Sequence, residues 1–279
     1  MPIHDQSYRH YQGQRAPRGR AWTVIATAGV RNMLGKKAFL GLLILAWLPF
    51  IVRSVQLYLA ANFPQMSIVS PSPKLFRDFL EQQGVFVFFI TIFTGAGLIS
   101  NDMRANALQI YLSKPLDRVE YIAGKFAVLA FFLLLVTWLP ATMLVVIQIV
   151  FAGSFSFVAS NLFVLPAIVV YAGIETIVLG MVMLALSSLS KSARFVGIMY
   201  AGIIFFTQAL YGVVYVATRS SAFSWMAVSS NLLQVGDLIF RLPGRFDASG
   251  WATVLALVVT VGLAAFVLER RVRGVEVVT

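Results

Sequence analysis

Residues 99–125 read ISNDMRANALQIYLSKPLDRVEYIAGK, with seven charged side chains in the stretch. Apolar sequence lies on both sides. Gly84 to Ile99 has no charge before it, and Phe126 to Ile174 runs 49 residues without one after it. A helix needs about 20 apolar residues to cross some 30 Å of hydrocarbon. The quoted stretch is therefore a polar island between membrane spans, placed where it meets water and whatever the water phase contains.

The rest of the chain has the same character. Of 279 residues 59% are hydrophobic and 12% charged, and the mean hydropathy is +0.84. Soluble domains carry about 25% charge. The apolar runs are long and uniform rather than alternating, which selects helices over a barrel. The expected fold is an all-α polytopic membrane protein of six spans, near residues 38–61, 84–100, 126–152, 162–189, 193–218 and 251–268. Gly153-Ser154 and Ser160-Asn161 divide the long uncharged run into spans 3 and 4, and Pro140 and Pro166 are candidate kinks.

Between the spans lie shorter amphipathic pieces. Residues 1–19 are polar and read as a flexible tail ahead of a single transmembrane domain, 20–279. From Arg20 to Lys37, Trp22, Ile25 and Met33 share a helical face and Thr23, Thr27 and Arg31 oppose it. That pattern suggests an interfacial helix with Trp22 at headgroup depth and Arg31 toward water. Leu75, Phe76, Phe79 and Leu80 suggest a short surface helix before span 2, after the Ser72-Pro73 start signal. Leu232, Leu233, Leu238, Ile239 and Phe240 suggest a helical re-entrant-like region before span 6.

Basic residues set the orientation. Sixteen of the 22 Lys and Arg fall in the N-terminal segment, the quoted island, the Ser190–Arg194 turn and the C-terminal tail. By the positive-inside rule these lie in the cytoplasm, with both termini. The net charge of +11 is then a topology signal, and nucleic acid is not an expected partner.

There is no cysteine, and both histidines, His4 and His10, lie in the polar tail. The phosphate-binding pattern G-x-x-x-x-G-K-[ST] is missing, and no constellation for bond chemistry or metal binding is legible. Hence no cofactor and no catalytic residue are expected in this chain. Glu175 reads as the one acid deep in a span, either a group on a substrate pathway or an inter-helix hydrogen bond. An ion-coupled secondary transporter or channel centred on Glu175 is the alternative to a driven permease. Within the island, Ser100 or Asn101 caps a helix with Leu108, Tyr111 and Leu112 on one face. Pro115 stops it, and Asp117 with Glu120 starts the helix of span 3.

The island resembles the segment after the second span of type-2 ABC transporter permeases. Asp102, Ala107-Leu108, Leu112, Pro115, Arg118 and Gly124-Lys125 stand at matching positions, with Asp102 where Glu is commoner. The resemblance implies a permease working with a second copy as a homodimer and with two ATPase subunits that bind ATP and Mg. It implies a coupling helix that seats on the ATPase through Asp102, Arg104, Leu108, Tyr111, Leu112, Pro115 and Arg118. The Ser187–Arg194 turn, with Ser188, Lys191 and Arg194, is the second contact that it implies. Export across the cytoplasmic (inner) membrane is the expected activity.

Overall fold

The computed structural model describes residues 21–63, 72–107 and 118–272. Among these there is no strand, and six helical stretches are long and apolar enough to cross a membrane: Lys37–Asn62, Pro73–Arg104, Arg118–Ala152, Val164–Ser187, Ala193–Thr218 and Gly250–Arg271. The chain is a polytopic all-α membrane protein. Six crossings return it to the side on which it starts, here the termini side; the other is the far side.

Helix α1 (Ala21–Leu34) precedes span 1, which is α2 (Lys37–Ala46) and α3 (Leu48–Asn62) broken at Trp47. Pro49 explains the break, because it has no N–H for the carbonyl of Leu45 four residues back. The next carbonyl, that of Ala46, accepts from Nε2 of Gln83 at 3.0 Å, in a fully buried contact. Span 3 repeats the device. Helices α6 (Arg118–Val136) and α7 (Trp138–Ala152) meet at Thr137, three residues before Pro140. Pro166 makes no such break, since it occupies the first turn of α9 (Val164–Ser187), where a missing N–H costs nothing.

Span 2 departs from expectation. Helix α4 (Pro73–Gly95) runs continuously from Pro73, and α5 (Ser100–Arg104) completes the span. Leu75, Phe76, Phe79 and Leu80 do not lie on an outer surface; they are buried among Leu57, Leu144, Val145 and Ile168. The amphipathic pattern was a bundle-facing pattern, and span 2 is longer at its far end than hydropathy alone indicates. At its other end the α4–α5 break has a side-chain cap. The Ser187 hydroxyl accepts from the backbone N–H groups of Ile99 and Ser100, both at 3.1 Å, and donates to the Ala96 carbonyl at 3.0 Å.

Helix α9 is the central post: 67% of its most apolar window is buried, against 22% for spans 1, 5 and 6. Gly95 and Gly180 let neighbours close on it. A Cβ at Gly95 would lie 2.3 Å from Met183, and one at Gly180 would lie 2.9 Å from Phe126. Short α8 (Ser156–Ser160) connects spans 3 and 4, and α10 (Ala193–Thr218) is span 5. The small residues Ala193, Gly197 and Ala201 fall toward the bundle, where Gly197 meets Ile92 of span 2.

After span 5 the chain dips back. A 3-10 turn (Ser221–Met226) leads to α11 (Val228–Ile239), then a short loop leads to α12 (Gly250–Arg271), span 6. Ser230 donates to Gln208, ten residues inside span 5 and so about 15 Å from its far end. Val228, Leu232 and Val235 share a core with Leu257 and Ala264 of span 6. This is a re-entrant segment, as the apolar residues of 232–240 suggest.

Candidate functional site

The two ends of the bundle each hold a charged assembly. On the termini side, Asp102 of α5 accepts from the Tyr121 hydroxyl at 2.7 Å and pairs with Lys125 at 2.7 Å. Tyr121 is fully buried, and the side chains of Asp102 and Lys125 are under one-fifth exposed. Asp102 thus ties the end of span 2 to the start of span 3 across the island. Glu120 stands in the first turn of α6, where a carboxylate suits the helix dipole. Asn106 adopts φ 53°, a left-handed conformation that asparagine tolerates, and turns the chain out of α5.

Helix α1 packs along the beginning of α6. A Cβ on Gly29 would lie 2.5 Å from Val128, and one on Gly124 would lie 2.8 Å from Ile25. The two glycines allow the close approach. Ile25, Val30 and Met33 turn inward, while Trp22 and Arg31 are exposed, so α1 is amphipathic against span 3.

Among the residues expected at a coupling surface, Arg104, Arg118, Lys191 and Arg194 are exposed on the termini side. Ser188 is fully buried, its hydroxyl donating to the Ala185 carbonyl at 2.6 Å, so it supports the turn from within. Leu108, Tyr111, Leu112, Pro115 and the capping Asp117 lie outside the described residues.

The far-side assembly has no counterpart in the sequence reading. Arg77, one turn into α4, is fully buried. Its Nε donates to Asp237 of α11 at 3.0 Å, its Nη2 donates to the Leu233 carbonyl at 2.9 Å, and its guanidinium lies 4.8 Å from the Tyr171 ring centre. Arg245 follows α11 and donates to both carboxyl oxygens of Glu81 at 2.9 and 2.8 Å. It also donates from Nε to Asp237 at 2.7 Å. These hydrogen bonds, to Glu81 first and then to Asp237, hold the Arg245 guanidinium even more firmly protonated than usual. Gly236 makes room for this, because a Cβ there would lie 2.4 Å from Nε of Arg77. An open polar cleft of ≈ 810 Å³ leads to the network from the far side, with Arg53, Lys74 and Asp78 on its walls.

Beneath the network lies a second cavity, of ≈ 420 Å³. Spans 2, 4 and 5 and α11 line it with Phe88, Phe89, Tyr171, Glu175, Tyr200, Phe205 and Leu232, and Glu81 lies at its edge. Glu175 stands midway along α9, 95% buried, since its relative exposure is 5%. Its Oε2 has no hydrogen-bond partner among the described residues. Two further acids come near it, which the sequence does not show: Asp237 of α11 is buried as well, and Glu81 lines the same cavity. Both follow from the added far-side length of α4 and from the inward dip of α11.

Six apolar spans and a re-entrant segment, with a charged stretch between spans 2 and 3, make up a polytopic membrane protein. A family model described as ABC-2 family transporter protein matches residues 23–271, and the chain belongs to that family. No curated protein matches it. The family is the non-catalytic membrane part of ABC transport, and an ABC ATPase is its general partner.

Proposed function

We propose that this chain is the membrane-spanning permease of an exporter in the cytoplasmic (inner) membrane, with both termini cytoplasmic. Two ATPase subunits bind ATP and Mg and drive it, and a second copy of the chain completes a homodimer. The island is the coupling element. Asp102, Arg104, Leu108, Tyr111, Leu112, Pro115 and Arg118 form the main contact with the ATPase, and Lys191 and Arg194 form the smaller one above buried Ser188. The observation that carries this reading is the Asp102–Tyr121–Lys125 clamp. It joins the end of span 2 to the start of span 3, so a force on the island reaches both spans together. Family membership favours this over secondary transport centred on Glu175, which instead lines the substrate pathway of the permease.

The test is co-purification with the ATPase, and ATP hydrolysis linked to transport, in the reconstituted complex. Arg118→Glu, or Leu108→Asp with Leu112→Asp, is expected to release the ATPase or to uncouple hydrolysis from transport. Retention of both binding and coupled transport in these variants would remove the island from its assigned role.

A further inference from the structure

The far-side network is balanced within itself. Arg77 and Arg245 supply two positive charges, Asp237 and Glu81 two negative ones, and each member pairs with another of the four. Glu175 remains outside this balance. Among the described residues it has no salt-bridge partner, and one carboxyl oxygen is unbonded beside the 420 Å³ cavity. An ionised carboxylate at the middle of a span is costly unless it takes up a proton or a cation joins it.

The walls supply the remaining recognition. Phe88 is the centre of an aromatic group, with its ring 5.3 Å from that of Phe89, 5.4 Å from Phe205 and 5.7 Å from Tyr200. Aromatic faces attract cations through their quadrupole and accept apolar groups equally well. The cavity volume falls in the range of small-molecule sites, about 300–1,000 Å³. Taking Glu175 on the substrate pathway, we propose that the transported substrate is a lipophilic cation, an organic cation with apolar substituents. Its charge meets Glu175 and its apolar groups pack on the ring cluster at Phe88.

The experiment uses the full chain in nanodiscs of zwitterionic lipid, with tetraphenylphosphonium as probe and tetraphenylborate as its anionic counterpart of similar shape. The cation binds saturably and the anion does not. Glu175→Gln weakens cation binding at least tenfold, Glu175→Asp restores part of it, and Phe88→Leu, which keeps the apolar volume without the ring, weakens it several-fold. Equal binding of the two probes, unchanged cation binding in Glu175→Gln, or no cation binding by the wild type overturns the proposal. ATPase co-purification is measured on the same preparations. Loss of that partnership counts against the permease reading, whereas loss of cation binding with the partnership intact counts against the substrate class alone.

Discussion

The two charged assemblies differ in how far along the chain their partners lie and in how deeply their central pair is buried. On the termini side, Asp102 and Tyr121 are 19 residues apart, and the Asp102 and Lys125 side chains keep less than one-fifth of their exposure. On the far side, Arg77 and Asp237 are 160 residues apart, and both are almost completely buried. The first joins the ends of two consecutive spans. The second joins span 2 to the re-entrant segment and to the loop after it. A clamp between consecutive spans constrains only those two spans, whereas a buried pair between distant elements strongly resists the loss of either member.

The largest effect is expected at Arg77. Arg77→Leu leaves Asp237 without one of its two cationic partners in a buried site, and a loss of about 3–5 kcal/mol is expected. Unfolding of the purified protein in detergent measures it. Pairing that change with Asp237→Leu should recover some of the loss, although Arg245 then has only Glu81. If the single and double variants unfold alike, the far side is not held by this pair. Next is Gly236→Ala, whose new Cβ intrudes on the guanidinium of Arg77. Overpacking of this kind costs about 1–3 kcal/mol, and the same unfolding assay should place it between the other two variants. The smallest effect on stability is expected for Asp102→Asn, about 1 kcal/mol, because the isosteric amide keeps an acceptor for the Tyr121 hydroxyl and loses only the charge that faces Lys125. The comparison sharpens if that variant keeps its unfolding midpoint while losing ATPase-coupled transport. It breaks if Asp102→Asn unfolds as readily as Arg77→Leu.

Most of the fold is legible in the sequence because membrane spans follow from local composition. All six spans, the island and the re-entrant segment can be read from runs of apolar residues and their interruptions. The far-side site is hidden for the same reason. Lys74, Arg77, Asp78, Glu81, Gln82 and Gln83 make residues 72–83 resemble a loop or a surface helix. Arg77 and Gln83 are buried because their partners, Asp237 and the Ala46 carbonyl, arrive from other helices. No local window contains that information. The available hint was the i,i+4 pair of Arg77 and Glu81 on one helical face, which a solvated helix also shows. Gly29 misleads in a similar way. Its low helix propensity argues against α1, yet its missing side chain is what admits Val128.

Ser187 gives the molecule a gear tooth. One hydroxyl engages three backbone groups at the α4–α5 break, so the lower end of span 2 and the end of α9 are meshed through a single atom. Twelve residues up the same rod, about 18 Å at helical rise, is Glu175 at the cavity. A turn imparted to Ser100 must either strip this tooth or rotate the rod, and rotating it would change the angle that the carboxylate presents to the cavity.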